Sequence, residues 1–227
     1  MKREKGKSIC FIGLDGSGKS TSIEAAFHWC TDHGIKVKVV RAAYVVERLN
    51  WLIKLGKKLT MKKHSDPYKA GDYKTYLEQL RKTSPHGFKY RVFSFLTTLE
   101  FRSQIRKRIT RNLKHGYCLL IDRYIYDNAV TYCANLGLGE SFMHEIIDKK
   151  WKKAPRPDAI IFIDAPVKTC LSRKNDIPDP LYLEIREPLY KLVAKHYSAI
   201  TINGSQPRAK MVEQVINTVQ EVFGHGQ

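Results

Sequence analysis

A glycine-rich stretch near the start of the chain is the first place where residue type and spacing indicate chemistry. Residues 13–20 read Gly-Leu-Asp-Gly-Ser-Gly-Lys-Ser, which matches the pattern Gly-x-x-x-x-Gly-Lys-Ser in full. Its glycines let backbone N–H groups turn inward and approach an anion without a Cβ in the way. A helix that begins there adds the positive end of its dipole. The stretch therefore predicts a loop that binds nucleotide phosphates.

The polar residues of this phosphate loop have expected roles. Lys19 is placed to reach the β- and γ-phosphates of ATP, and the hydroxyl of Ser20 is placed to ligate Mg²⁺. We therefore predict ATP and Mg²⁺ as the cofactors, with Lys19 as a catalytic residue. The predicted nucleotide-binding residues are Gly13, Gly16, Ser17, Gly18, Lys19, Ser20 and Thr21.

Asp15 is a carboxylate in the middle of the phosphate loop, beside the expected γ-phosphate. A negative charge there costs free energy unless it faces Mg²⁺, the water around the ion, or a donor group on a second substrate. We therefore predict that Asp15 is both catalytic and substrate-binding. The alternative is an aspartate that only shapes the turn and points to solvent.

A second candidate site follows a strongly apolar run. Residues 118–128 read CLLIDRYIYDN, in which Asp122 ends a predicted strand and Arg123 comes next. A carboxylate in that position supports Mg²⁺ in nucleotide-binding sheets. A guanidinium at the carboxyl end of a sheet is placed to hold a phosphate group with two hydrogen bonds. We predict Asp122 as a metal ligand and Arg123 as a catalytic, acceptor-binding residue; the alternative is an ion pair that closes a helix start.

Short β-branched or apolar runs predict five strands that carry these motifs, at 7–13, 36–42, 117–122, 158–165 and 198–204. Near-continuous apolar strands that alternate with helices are typical of a parallel sheet covered on both faces. We predict an α/β fold of three layers, of the P-loop NTPase type, as a single domain over residues 1–227. The predicted helices run from the phosphate loop to His33 and over 44–60, 68–83, 88–114, 123–136, 140–151, 179–196 and 207–223.

The composition is ordinary for a soluble globular protein, with 43% hydrophobic and 27% charged residues. No apolar run approaches the ~20 residues that a membrane span needs. The first ten residues are basic and carry no apolar signal segment. The five cysteines are scattered and lack metal-ligand spacing, which favours reduced thiols. We therefore predict a cytoplasmic protein.

The net charge of +18 is concentrated in one region, where residues 48–114 hold 18 basic and 4 acidic side chains. A basic surface attracts phosphorylated substrates, nucleic acid or anionic lipid, or only improves solubility. Within it, residues 51–64 predict a helix with leucines opposite lysines. Such a helix packs on the core, covers a substrate site or lies on an anionic membrane.

The motifs in combination resemble the thymidylate kinase family of P-loop nucleoside monophosphate kinases. GLDGSGKST and Asp122-Arg123-Tyr124 carry the resemblance most specifically. Residues 162–174 are similar to the family's strand and helix before a mobile lid. Residues 181–196 and 200–215 are similar to the helix after the lid and to the last strand and helix. The resemblance covers nearly the whole chain except about 44–92.

The resemblance implies roles for individual residues. Asp15 contacts the sugar hydroxyl of the acceptor nucleotide or orders catalytic water and metal, and Arg123 contacts the acceptor phosphate. A family arginine about twenty residues before the strand aspartate falls on Arg102, which implies contact with the acceptor base or phosphate. Alternatively, Arg102 belongs only to a basic helix face. Arg173 falls near the donor adenine and a lid at about 172–180, and is predicted to be catalytic.

The sequence also departs from the family pattern, and every departure concerns the acceptor or the lid. Thr98 stands where the family has an aromatic residue that stacks on thymine, although Phe95 and Phe101 lie nearby. The family's phosphate-gripping stretch after the second strand is absent, so that Arg41 or Arg48 would substitute for it. Asp127 occupies a region where the family favours serine. The lid is short and has no second arginine before Arg186.

The resulting prediction is ATP-dependent phosphoryl transfer to a nucleoside monophosphate, with dTMP as the first candidate. One alternative is a P-loop kinase for another phosphorylated small molecule. The other is an ATP-dependent protein that binds nucleic acid or a membrane through its basic face. The resemblance also implies a homodimer, for which the helix at 88–114 is a candidate surface.

Overall fold

The computed structural model describes residues 5–43, 73–82, 88–177 and 179–224. Five strands form one parallel sheet in the order β2-β3-β1-β4-β5, which confirms the predicted α/β architecture of a P-loop kinase-like fold. Each strand lies within two residues of its predicted bounds. They are β1 (Ser8–Ile12), β2 (Val37–Arg41), β3 (Cys118–Asp122), β4 (Ala159–Asp164) and β5 (Ile200–Asn203).

Helices cover both faces of the sheet. Those before β3 are α1 (Lys19–Asp32), α2 (Tyr73–Lys82), α3 (Phe88–Ile105) and α4 (Arg111–Lys114). Those after it are α5 (Ile125–Leu136), α6 (Glu140–His144), α7 (Val167–Arg173), α8 (Pro180–Glu184), α9 (Glu187–His196) and α10 (Arg208–Phe223). Two π-helical segments, Arg106–Thr110 and Glu145–Lys150, continue α3 and α6.

The three central strands are apolar on both faces because each face has its own core. In β1, Ile9 and Phe11 pack with α1 and α10, whereas Cys10 and Ile12 pack with the helices on the opposite face. The same alternation holds in β3 and β4, and their core side chains are almost fully buried. This two-sided burial explains why the strands read as continuous apolar runs rather than alternating ones.

The strand register brings the two sequence motifs to one edge of the sheet. Asp122 at the end of β3 pairs with Phe11 of β1 on one side and with Arg41 of β2 on the other. The phosphate loop lies between β1 and α1 at this same edge. The carboxyl ends of parallel strands are where α/β folds hold ligands, so the register places both motifs at a ligand-binding edge.

Several helices differ from their predicted course. The helix predicted at 123–136 begins at Ile125, because Arg123 has a φ of 60° and Tyr124 is extended. The helix predicted at 179–196 is two helices, since Pro188 lacks the N–H that would continue α8 into α9. The prediction at 44–60 lies outside the described residues.

Among the described residues, none of the helices has the length and apolar character that a membrane crossing requires.

Candidate functional site

The phosphate loop has a backbone that only glycine can adopt at its key positions. Gly13 and Gly16 have φ values of 140° and 87°. A Cβ on Gly16 would lie 2.5 Å from the carbonyl oxygen of Cys170, and one on Gly13 would lie 2.6 Å from that of Ile163. The hydroxyl oxygen of Ser17 is buried and has no hydrogen-bond partner among the described residues. The loop therefore forms a cradle with an unused polar group, as expected of an anion site.

Lys19 is the buried cation of this loop and is only 6% exposed. Its Nζ donates hydrogen bonds to the carbonyl oxygens of Gly13, at 2.9 Å, and Leu14, at 2.6 Å. Burial, followed by the nearby charge of Arg123, lowers the pKa of Lys19 to about 8. A phosphate group bound at this loop would stabilise the charged form of Lys19 and oppose the effect of burial.

A cavity of about 400 Å³ opens at the carboxyl edge of the sheet. It brings together most of the residues predicted from sequence; of the predicted residues, Gly13, Ser17 and Arg102 do not line it. The lining residues are Asp15, Gly16, Gly18, Lys19, Ser20, Thr21, Arg41, Asp122, Arg123, Arg173 and Lys174. The cavity therefore combines the phosphate loop with a set of cations contributed by several strands and helices.

Asp15 does not point to solvent, because its carboxylate forms an ion pair with the guanidinium of Arg123. The hydroxyl of Tyr182 lies 3.4 Å from its other oxygen. Burial alone would raise the pKa of Asp15, but the positive charges of Arg123, Lys19 and Lys174 outweigh burial and hold the pKa below its usual value. Asp15 is thus an anion that faces the cavity and orients Arg123.

Arg123 adopts a left-handed backbone conformation, with a φ of 60°. A non-glycine residue in this region is strained by about 1–3 kcal/mol and persists only where its surroundings hold it. Here the ion pair with Asp15 on one side and the buried carboxylate of Asp127 on the other favour the cation. Strained backbone conformations of this kind are concentrated at functional sites. In this protein the conformation directs the Arg123 side chain into the cavity.

Asp127 is close enough to Arg123 for the two charges to interact, and it is 3% exposed. Its carboxylate accepts hydrogen bonds from the backbone N–H of Tyr124, at 3.0 Å, and from the hydroxyl of Tyr190, at 2.7 Å. Burial raises the pKa of Asp127, and the charge of Arg123 opposes that rise. Sequence comparison with the family marked this aspartate only as a departure; the structure makes it the buried counter-charge of the cavity cations.

Ser20 and Asp122 offer a donor set that fits Mg²⁺. Both line the cavity, one with a hydroxyl and the other with a carboxylate, and oxygen ligands are those that Mg²⁺ prefers. The Asp122 carboxylate lies 3.9 Å from Nε of Arg41, its pairing partner in β2. Arg41 therefore reaches the cavity edge, with a side chain that is 71% exposed, and its contact with an acceptor stays a prediction.

Arg173, predicted near the lid, and its neighbour Lys174 both meet the cavity at the end of α7. Arg173 donates a hydrogen bond of 2.8 Å to the carbonyl oxygen of Gly204. This bond holds the arginine at the cavity that the phosphate loop also lines. Lys174 forms an ion pair of 3.4 Å with Asp176. Both side chains line the cavity, so this end of α7 supplies positive charge close to the phosphate loop.

Arg102 is not brought to this cavity. Its exposed guanidinium donates a hydrogen bond of 3.1 Å to the carbonyl oxygen of Lys150. The π-helical segment Arg106–Thr110 lies between Arg102 and Asp122 and turns the earlier part of the helix relative to a regular α-helix. A count of twenty residues back from Asp122 therefore identifies the residue at the family's spacing. It does not show which face of the helix carries that residue. Phe101 next to it packs edge-on against Trp151, with ring centroids 4.8 Å apart.

Two functional candidates were missed at the level of sequence, namely Tyr182 and the arginine that holds it. Arg186 is buried and donates to the Tyr182 carbonyl oxygen at 2.8 Å, to the Tyr73 hydroxyl at 3.0 Å and to Asn135 at 2.9 Å. Its guanidinium also lies 3.8 Å from the centre of the Tyr182 ring. Pro188 was the available signal, since it breaks the helix at this arginine.

Together, the parallel sheet and the phosphate loop at its carboxyl edge define a protein of the P-loop kinase-like class. No family model matches the chain. The chain is 25% identical over 233 residues to a thymidylate kinase of Prochlorococcus marinus, which covers 98% of this chain and 100% of that protein.

Two archaeal proteins are also similar. A probable thymidylate kinase of Pyrococcus horikoshii is 26% identical over 169 residues, covering 74% of this chain and 70% of that protein. A second, from Saccharolobus solfataricus, is 28% identical over 120 residues, covering 48% of this chain and 58% of that protein. At this level of identity, the relatives support a nucleotide kinase that is thymidylate kinase-like.

Proposed function

We propose that the protein transfers the γ-phosphoryl group of ATP to a nucleoside monophosphate, and that dTMP is the preferred acceptor. The observation that carries this proposal is the ion pair of Asp15 with Arg123 inside the phosphate-loop cavity. An arginine beside the phosphate loop also serves proteins that only hydrolyse the nucleotide, but one already paired with a carboxylate is placed to exchange that carboxylate for an acceptor phosphate. A kinase needs such a cation to hold the phosphate that receives the phosphoryl group.

The donor binds through the phosphate loop. The loop amides and Lys19 neutralise the β- and γ-phosphates, and Arg173 with Lys174 adds positive charge from the end of α7. Ser20 and Asp122 would hold Mg²⁺, which supplies charge neutralisation at the phosphate oxygens when it is bound. Alignment and electrostatics are the main contributions in phosphoryl transfer, and these residues provide them.

The acceptor binds through Arg123. Its phosphate replaces Asp15 on the guanidinium, and Asp15 becomes free to accept a hydrogen bond from a hydroxyl of the acceptor sugar. An oxygen of the acceptor phosphate then forms the new bond to the γ-phosphorus. The bond from that phosphorus to the β,γ-bridging oxygen breaks, and ADP leaves with the electron pair. An acceptor phosphate is already an anion, so no strong general base is required.

The test is an acceptor panel. Purified protein with ATP and Mg²⁺ receives each common nucleoside monophosphate in turn, and ADP formation is followed. We expect turnover with dTMP well above the rate without acceptor. The Lys19→Ala variant, purified in parallel, controls for a contaminating kinase. Turnover of dTMP no faster than hydrolysis without acceptor would overturn the assignment of dTMP.

A second candidate is a kinase of the same mechanism that acts on another phosphorylated small molecule. Two observations favour it: Thr98 is buried where the family has a thymine-stacking aromatic residue, and Asp127 adds a buried negative charge close to Arg123. Activity on a sugar phosphate or lipid phosphate, with every nucleoside monophosphate inert, would select it. A homodimer, and binding of the basic region 48–114 to an anionic ligand or membrane surface, stay predictions.

A further inference from the structure

A cluster of two histidines and an aspartate lies at the surface, away from the residues that line the phosphate-loop cavity. His144 ends α6, Asp148 follows one turn later in the π-helical segment, and His196 ends α9. One potential ligand atom from each side chain lies within 4.8 Å of the other two. The two imidazole rings are stacked, with centroids 3.7 Å apart and planes inclined by 28°.

The hydrogen bonds around His144 leave one of its ring nitrogens poorly satisfied. Glu140 approaches Nε2 at 3.3 Å, and the Tyr197 hydroxyl approaches Nδ1 at 3.4 Å. The single proton of that hydroxyl is given to Asp148, at 2.9 Å. In the neutral imidazole, a proton on Nε2 satisfies Glu140 but leaves the Nδ1 lone pair facing the tyrosine oxygen. This nitrogen is therefore available to an electrophile.

We propose that His144, Asp148 and His196 form a binding site for a divalent transition-metal ion, with Zn²⁺ as the best fit. Two imidazoles and one carboxylate are a ligand set that Zn²⁺ accepts with a fourth position left for water. Mg²⁺ is excluded by the same chemistry, because it selects oxygen ligands. This site is therefore distinct from the Mg²⁺ position at Ser20 and Asp122.

The surroundings of the cluster match those of a metal site. A carboxylate that holds the distal nitrogen of a ligating histidine fixes its tautomer and raises its basicity, and Glu140 is placed to do so for His144. Ligand atoms around tetrahedral Zn²⁺ lie about 3.4 Å apart. The ligand atoms therefore need to approach by up to about 1.4 Å, and the stacked rings must also turn until both nitrogen lone pairs point to one ion. The exposure of Asp148 and His196 leaves room for these side-chain rotations.

The guanidinium of Arg156 competes with the metal ion for the carboxylate of Asp148. This guanidinium forms an ion pair of 2.9 Å with Asp148 and also donates to the carbonyl oxygen of Ile147. Metal binding must draw Asp148 from this arginine. Removal of the Arg156 side chain should therefore strengthen binding of the ion, whereas removal of any of the three ligands should weaken it.

A bound ion would join the end of α9 to the helix that contains His144. The start of α9 carries Tyr190, which holds Asp127 close to Arg123 of the phosphate-loop cavity. A metal ion bound at His196 would thus stabilise the C-terminal end of α9, the helix whose N-terminal part supports the cavity through Tyr190. It does not depend on which acceptor the cavity takes, so failure of this inference leaves the proposed function untouched.

The experiment is titration of tag-free, reduced protein with Co²⁺ and with Zn²⁺, in the absence of nucleotide. We expect one equivalent of Co²⁺ to give visible absorption typical of a tetrahedral ion, without the near-ultraviolet band of a thiolate ligand. Competition should show tighter binding of Zn²⁺. His144→Ala, His196→Ala and Asp148→Asn should each weaken Zn²⁺ binding by about 100-fold or more, Glu140→Gln by about 10–100-fold.

His28→Asn is the matched control, because it removes an exposed histidine outside the cluster. It should leave the affinity unchanged, and Arg156→Gln should increase it. Circular dichroism checks that each variant is folded; His196 and Asp148 are exposed, so their variants stay informative if His144→Ala misfolds. Absence of binding, a thiolate band, or binding that survives both His196→Ala and Asp148→Asn would overturn the proposal.

Discussion

The phosphate loop and the elements of the proposed acceptor side contribute to the same cavity in different ways. The loop offers its own backbone as the proposed phosphate site, over a few consecutive residues between β1 and α1. The proposed acceptor side depends on single side chains from separate elements. Arg41 from β2 and Arg123 after β3 line the cavity, and Tyr182 from α8 contacts Asp15. The first kind of site is fixed by local sequence, and the second by how the elements pack.

Arg102 and Arg123 illustrate the difference. Arg123 follows Asp122 directly, so the strand register brings its backbone to the cavity edge, where the left-handed conformation and the ion pair with Asp15 hold its side chain in the lining. Arg102 is joined to the same aspartate by a long helix with a π-helical segment, and it lies against Lys150 instead. Spacing in sequence is therefore a reliable guide within a strand-loop unit, and a weak one along a helix whose winding changes.

The largest expected effect is on the donor side, at Lys19. Lys19→Ala should reduce kcat/KM by about 10³-fold or more, because no other buried cation of the loop reaches the phosphates. Steady-state ADP formation with the preferred acceptor measures it. Lys210→Ala, which removes an exposed lysine of α10, is the matched control and should behave as the wild type.

Removal of the acceptor clamp should rank second and should separate the two halves of the cavity. Arg123→Ala should lower kcat/KM for the acceptor by about 10²–10³-fold, because loss of one preorganised donor at a reacting group typically lowers the rate by about this factor. The KM for ATP should change little. Initial rates with each substrate varied in turn measure both effects; equal losses for ATP and acceptor would show that Arg123 serves the donor instead.

The pH dependence of ATP binding should be intermediate in size. The pKa of Lys19 is about 8 in the ligand-free protein, so below this pH the cation is already present. Above it, ATP binding must take up a proton, and affinity should fall by up to about tenfold per pH unit. Calorimetric titration with ATP from pH 7 to 10 measures the profile.

Asp127→Asn sharpens this prediction. The negative charge of Asp127 raises the pKa of Lys19, so its removal should move the midpoint of the profile to lower pH. Asp32→Asn, at the exposed end of α1, should leave the midpoint in place. A profile that is flat up to pH 10 would mean that Lys19 does not titrate in this range.

A smaller effect is expected at Tyr182, whose hydroxyl makes a long contact with Asp15. Tyr182→Phe should lower kcat by about 2–10-fold, the usual worth of one neutral hydrogen bond. Tyr117→Phe, a change just before β3 and outside the cavity lining, is the control. A loss as large as that of Arg123→Ala would make Tyr182 a direct substrate contact.

The smallest effect is expected at Arg102. Because its guanidinium lies on the carbonyl oxygen of Lys150, Arg102→Ala should change the KM for the acceptor less than about threefold, as typical of an exposed side chain. Kinetics measured beside Arg123→Ala make the comparison direct. A change near 100-fold would mean that the family spacing is the better guide and that the helix turns when the acceptor binds.

The sequence predicted the fold well because its strongest signals are local. Apolar runs located the five strands found among the described residues, and the spacing of glycines located the phosphate loop. It did not predict the left-handed Arg123, which delays the start of α5, nor the π-helical segments, because both reflect packing rather than propensity. Tyr182 was missed since its contact with Asp15 joins residues far apart in the chain.

One measurement addresses the central claim, that the cavity joins an ATP phosphate loop to an acceptor phosphate held by Arg123. The protein is incubated with Mg²⁺, dTMP and ATP labelled with ³²P in the γ-position, and the labelled products are separated. We predict label in dTDP with the wild type and its near-complete loss with Arg123→Ala, although the variant still binds ATP. Label that appears only as free phosphate with the wild type would contradict the account.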